Sequence, residues 1–204
     1  MDQKVALVAM AALSVAVAGW AQGDPHAAHA VATPAVAASV VAPVDESLPP
    51  SDEQARAALE HSPRHGEWLD VKTAGGPVVR TYVVYPERRD RAPVVIVIHE
   101  IFGLSDWIRA VADQLAEDGF IAVAPDLISG LGPNGGGTDS VGSRDEVVRL
   151  IRGLSAEDAT RRLHAVREQA LKLPAANGRS ATLGFCWGGS RSFAYAAAQP
   201  DLDA

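Results

Sequence analysis

One hexapeptide constrains this chain more than any other: Gly184-Phe185-Cys186-Trp187-Gly188-Gly189, set between the run Ser180-Ala181-Thr182-Leu183 and a helix-forming stretch that ends near Gln199. A strand that gives way to a helix within so few residues must turn sharply. Glycines flank such a turn because a side chain there would collide with neighbouring backbone. The spacing is that of a nucleophile elbow, G-x-S-x-G, with cysteine in place of serine. The competing reading makes Cys186, the sole cysteine of the chain, a small buried hydrophobe, the ordinary state of a free cysteine.

A second segment weighs against that alternative. Pro93-Val94-Val95-Ile96-Val97-Ile98 is a continuous apolar, β-branched run of the kind that fills a strand buried on both faces of a parallel sheet, and it ends in His99-Glu100-Ile101-Phe102-Gly103. A carboxylate placed directly after a core strand belongs at the carboxyl edge of the sheet, where open α/β sheets hold their ligands. With Val123-Ala124-Pro125-Asp126-Leu127 between them, these motifs resemble the dienelactone hydrolase family of α/β-hydrolases, over roughly residues 65 to 204. The resemblance implies an α/β-hydrolase fold, a mostly parallel sheet with crossover helices, incomplete after the nucleophile strand and its helix.

The order of elements agrees with that architecture. Residues 1–21 read as a signal peptide: Lys4 precedes the apolar stretch Val5 to Ala18, and Gly19-Trp20-Ala21 supplies the small residues of a cleavage site. That places the mature protein in a periplasm or outside the cell, with no stable membrane insertion once the signal is cleaved. Residues 22–51 are an Ala/Pro-rich linker, and residues 52–204 form the folded domain. The domain opens with a short amphipathic helix from Asp52 to His61, then two strands, Gly66 to Thr73 and Val78 to Tyr85, joined by a tight turn at Gly75-Gly76. Ser105 caps a helix stopped by Gly119, and Phe120 to Ala124 forms another buried strand. Ser155 starts a further helix ending before Pro174, and Ala175 to Arg179 turns the chain into the nucleophile strand, the fifth. Between Ile128 and Ser143 the glycines exclude regular structure and leave a loop over the catalytic edge, substrate-facing or plain solvent loop.

Composition bounds the function. At 204 residues, 48% hydrophobic and 21% charged, the chain has the make-up of a globular domain with one core. A formal charge of -7 without a basic stripe gives nucleic acid no electrostatic footprint. No phosphate-cradling G-x-x-x-x-G-K-[ST] pattern occurs in the glycine-rich loop. His26 and His29 lack the third ligand and scaffold that a metal site needs, so neither metal nor cofactor is expected. The expected partner is a small ester or lactone substrate; oligomeric state is not legible.

Position assigns the chemistry. Cys186 attacks an ester or lactone carbonyl, and the developing oxyanion needs donors already aimed at it, of which the Trp187 amide is one. The family resemblance implies the Ile101 amide as the second, and implies that Glu100 faces the nucleophile and accepts or relays its proton. A carboxylate beside a thiol opposes thiolate formation, so the role of Glu100 must be proton acceptance or gating. His99 lies on the oxyanion side and is not expected to be the base. Gly184, Gly188 and Gly189 are the elbow glycines.

Two departures from the family pattern bear on the substrate and the mechanism. Asp126-Leu127 is followed by Ile128-Ser129-Gly130, without the arginine that family members acting on carboxylated lactones carry near this segment. An α/β-hydrolase triad runs nucleophile, acid, histidine. After Cys186 come only Asp201, Asp203 and no histidine, so neither triad partner has a recognisable position and a truncated chain is expected. Two functions follow: a cysteine-dependent hydrolase working through an acyl-enzyme, or a non-catalytic module binding a small molecule or a protein on an elbow that has lost its triad.

Overall fold

The computed structural model describes residues 47–204. The expected signal peptide and the linker as far as residue 46, with His26 and His29, lie outside the described residues.

The first helix, α1 (Asp52–His61), begins where Ser51 and Gln54 form a reciprocal cap, and it buries Ala55 against the domain. Strands β1 (Gly66–Val71) and β2 (Val79–Val84) pair antiparallel, from Gly66 opposite Val84 to Val71 opposite Val79. The connection is longer than the tight turn expected at Gly75-Gly76: it runs from Lys72 to Val78. Pro77 offers no amide to a ladder, and the Thr73 hydroxyl closes the loop instead by donating to the Pro77 carbonyl at 2.7 Å.

Strand β3 (Ala92–Ile98) is the apolar run read from the sequence, and Val94, Ile96, Val97 and Ile98 are all at 0% exposure. Helix α2 (Asp106–Glu117) starts at Ser105, whose hydroxyl accepts from the Ile108 amide, and stops at Gly119, which takes a φ of +95°. Strand β4 (Ile121–Pro125) follows. The helix α3 (Arg144–Gly153) was not anticipated, although Ser143 caps it by accepting from the Glu146 amide and Val147 and Ile151 form its buried stripe. Helix α4 (Ala156–Leu171) has the expected Ser155 cap.

Strand β5 (Ala176–Gly184) already begins within the turn expected over Ala175 to Arg179. Its first residues pair with β3 across a bulge, with the register stepping from Ala92–Ala176 to Val94–Ser180 and Gly178 at a φ of +88°. Helix α5 (Trp187–Ala198) closes the sequence of elements.

The strands lie in the order β1-β2-β4-β3-β5. The β1, β2 and β4 pairs are antiparallel, and β4, β3 and β5 run parallel. Side chains alternate across the sheet as the pleat requires. Val94, Ile96 and Ile98 pack with Leu163, Val166 and Ala170 of α4 and Tyr195 of α5, whereas Val97 packs with Ile108, Val111 and Ala112 of α2. On its outer side β5 is met by the last residues of the chain: Asp203 donates its amide to the Ser180 carbonyl at 2.8 Å, and Thr182 donates to the Ala204 carbonyl at 3.0 Å. On the nearby α5 surface Phe193 is 81% exposed.

Because Ile96 sits in an inner strand with no solvent contact, Ile96→Ala is expected to cost about 2–5 kcal/mol of unfolding free energy. Urea denaturation followed by circular dichroism measures it, and a loss below about 1 kcal/mol would show that the β3 core collapses around the missing side chain.

Candidate functional site

The elbow is built as its sequence requires. Cys186 stands between β5 and α5 at φ 51° and ψ −114°, one of two non-glycine residues with positive φ among those described, and it is exposed. Such backbone is costly for a residue with a Cβ and persists only where the surroundings dictate it. Here the surroundings are two close approaches. A Cβ on Gly184 would run into the Gly188 carbonyl and lie 2.8 Å from the Gly189 nitrogen; a Cβ on Gly188 would run into the carbonyl oxygens of Ile98 and His99. Gly189 is less confined, with the Gly184 oxygen 3.3 Å from a Cβ placed there. The first turn of α5 is thus seated directly on the end of β3.

The β3–β5 register carries the rest. Ile98 pairs with Gly184 on adjacent parallel strands, so Glu100 and Cys186 each lie two residues past a paired position at the carboxyl edge. Glu100 is half-buried, not the freely exposed strand-end carboxylate it could have been. Burial pushes its carboxyl above the usual glutamate range; Arg144 opposes that shift and Asp52 adds to it.

The two residues whose amides are expected to hold an oxyanion meet the same part of the core. The side chains of Ile101 and Trp187 pack against one cluster formed by Ile128, Val147 and Ile151. Among the described residues neither the Ile101 nor the Trp187 amide has an acceptor, as donors kept for a ligand must.

His99 is fully buried and is not available as a base. Its Nδ1 lies 2.8 Å from the Glu100 carbonyl oxygen, and the Leu127 amide donates to its Nε2 at 3.1 Å. Burial pushes the ring below the usual histidine range, against the opposing charge of Asp126. The ring stacks on Trp187, with centroids 5.5 Å apart and planes at 12°.

The glycine-rich loop is fastened at its far end. Buried Asp126 accepts from the Thr138 amide at 2.6 Å and the Thr138 hydroxyl at 2.9 Å, while the Leu104 amide donates to that hydroxyl at 3.1 Å. Behind it, the Ser129 hydroxyl donates to the Asp126 carbonyl at 2.6 Å, and the guanidinium of buried Arg162 donates to the Ser129 carbonyl at 2.7 Å. These polar partners carry the signal that sequence reasoning passed over. Asp126 and Thr138 stand 12 residues apart, beyond the reach of any local motif.

Arg144, at the start of α3, lies over the Phe102 ring at 4.7 Å and pairs with Asp52 at 3.0 Å. A cavity of about 450 Å³ opens beside them, lined by Phe102, Ser105, Thr138, Ser143 and Arg144; Cys186 and Glu100 do not line it.

His164, His65 and Asp203 are engaged with partners outside the elbow. His164 pairs with Glu168 and Gln199 on the α4 surface, and His65 stacks on Tyr85. Asp203 accepts from the Ser180 amide and pairs with Arg179; the Ser180 amide holds its carboxyl below the usual aspartate range. No group of three or more metal-ligating side chains occurs among the described residues, and no helix there is long and apolar enough to cross a membrane.

A positive-φ residue between a parallel strand and a helix, at the carboxyl edge of a sheet with helices on both faces, defines an α/β-hydrolase fold. A solved structure of a candidate dienelactone hydrolase from Klebsiella pneumoniae superposes with a TM-score of 0.59 at 25% identity, covering 68% of this chain and 57% of that one. A dienelactone hydrolase-like promiscuous phosphotriesterase from metagenomic libraries gives 0.56 at 25% identity, covering 68% and 56%. The dienelactone hydrolase family model matches residues 79–204, and the chain belongs to that family. Carboxymethylenebutenolidase 1 of Cupriavidus pinatubonensis is 38% identical over 130 residues, covering 63% of this chain and 55% of the relative. The carboxymethylenebutenolidase of Pseudomonas sp. strain P51 is 32% identical over 136 residues, covering 64% and 55%. The chain therefore spans about half the length of these curated relatives.

The elbow glycines are expected to differ in tolerance. Gly188→Ala should cost at least about 1–3 kcal/mol, because backbone of β3 must move, and Gly189→Ala should cost clearly less. Thermal unfolding of the two variants side by side tests this; equal losses would mean that α5 is not seated on β3.

Proposed function

We propose that this chain carries the nucleophile half of a thiol-dependent ester or lactone hydrolase. The observation behind the reading is the position of Cys186: exposed, at positive φ, on an elbow whose register aligns it with Glu100. The name carboxymethylenebutenolidase, carried by the relatives, denotes action on a butenolide lactone, and a lactone is the substrate class proposed here.

The Cys186 sulfur attacks the carbonyl carbon as its proton passes to the Glu100 carboxylate. The carbonyl oxygen becomes an oxyanion, held by the amides of Ile101 and Trp187. Collapse breaks the acyl–oxygen bond, and the departing alkoxide takes the proton back from Glu100. For a lactone the alcohol stays attached to the acyl group. Water then attacks the thioester, its proton passes to Glu100, and the thiolate leaves and is reprotonated. A raised carboxyl suits this work, since a base is most effective when its affinity for the proton approaches the working pH.

Mass spectrometry after brief exposure to p-nitrophenyl acetate tests the reading directly. One acetyl group is expected on Cys186 and none on Cys186→Ser under the same conditions. Labelling elsewhere, or only after denaturation, would leave the elbow as a binding module without nucleophilic chemistry.

Glu100 yields a pH prediction with a definite sign. As a base it must be ionised, and its proton affinity is raised, so the acid limb of acylation should fall above the usual glutamate range. Glu100→Gln should remove that limb and slow acylation by roughly 10²-fold. A carboxyl whose folded value is raised opposes folding once pH exceeds it, so the same variant should not lower the melting temperature at neutral pH. Unchanged acylation in folded Glu100→Gln would remove Glu100 from the mechanism.

A further inference from the structure

Resting on the acyl-transfer reading, the geometry points to a role for a residue that no step above uses. We propose that His99 is a positioning residue: its Nδ1–H aims the Glu100–Ile101 peptide so that the Ile101 amide and the Trp187 amide converge on one oxyanion.

The tautomer follows from the partners. The Leu127 amide donates to Nε2, so Nε2 carries no proton and the single ring proton sits on Nδ1, donated to the Glu100 carbonyl oxygen. That oxygen and the Ile101 N–H belong to one peptide unit. In a trans peptide they point in opposite directions, and the described chain contains no cis bond. Fixing the oxygen therefore fixes where the amide aims. The Gly103 amide donates to the same oxygen at 3.3 Å, so the peptide is held by two donors and cannot flip without losing both.

The ring also reaches the other half of the site. Its stacking on Trp187, 5.5 Å between centroids, sets the start of α5 against the end of β3. The backbone of His99 does the same from its other side, since its carbonyl is one of the two oxygens that exclude a side chain at Gly188. The Leu127 contact ties the arrangement to the loop after β4. His99 thus touches the three segments whose relative placement decides whether two amides share a target. With both nitrogens engaged and no exposure to solvent, it does this as a neutral bracket.

The discriminating experiment compares two reactions of Cys186 in the full chain. Acylation by p-nitrophenyl acetate builds an oxyanion, whereas alkylation by iodoacetamide displaces iodide and builds none. In His99→Ala, acylation should slow by about 10²-fold and alkylation should stay within about twofold; His99→Asn, whose carboxamide keeps an N–H donor, should recover part of the loss. Equal losses in both reactions, or none in either, would overturn the positioning role. A wild-type chain that is alkylated but never acylated would sink the acyl-transfer reading, and this inference with it. Should both variants fail to fold by circular dichroism, a long-range proton–nitrogen spectrum of the wild type decides: a proton on Nδ1 and a bare Nε2 are expected, and a proton on Nε2 would overturn the proposal.

Discussion

The parallel pairing of β3 with β5 is the constraint on which the candidate site depends. Ile98 opposite Gly184 fixes where two loops leave the sheet, and every residue assigned a chemical part lies within three positions of that pair or on the turn beyond it. A slip of one residue would exchange the two buried faces of β3, so the fit of its alternate side chains to α4 on one side and α2 on the other also guards the alignment of Glu100 with Cys186. Core packing and site geometry are one specification here. The absence of side chains at Gly184 and Gly188 then allows α5 to descend onto the β3 carbonyls, which converts register into contact.

Around that pairing lies a set of polar groups, most of them buried, in which the cost of desolvation is offset by hydrogen bonds. Asp126, Thr138, Ser129, His99 and Arg162 join the loops after β3 and β4 to each other and to α4. Loops with so many glycines would otherwise have large conformational freedom to lose. The polar network offsets that cost where the apolar core cannot reach, and it leaves the edge of the sheet organised before any substrate arrives.

The sheet and the elbow were legible because their signals are local. β-Branched runs, a serine before a helix and glycines around a cysteine each report on structure within a few residues. The helix α3 is masked in the sequence by the glycines before it, although Ser143 supplies its cap and Val147 and Ile151 its buried stripe. The hairpin connection lengthened because Pro77 cannot join a ladder, and the early start of β5 depends on a bulge that Gly178 permits. The task of His99 was not legible at all. One ring nitrogen meets its neighbour, but the other meets Leu127, 28 residues away, and no spacing rule links the end of one strand to the loop of another.

The seat of α5 on β3 has a consequence for motion. Among the described residues β5 pairs with β3 on one flank, and on the other Asp203 donates its amide to the Ser180 carbonyl and accepts from the Ser180 amide, while the Thr182 amide donates to the Ala204 carbonyl. The positive-φ backbone of Cys186 is held by the wedge of α5 against Ile98 and His99. Fluctuations of the elbow should therefore follow the docking of that helix, and the thiol should respond to movements of α5 on β3.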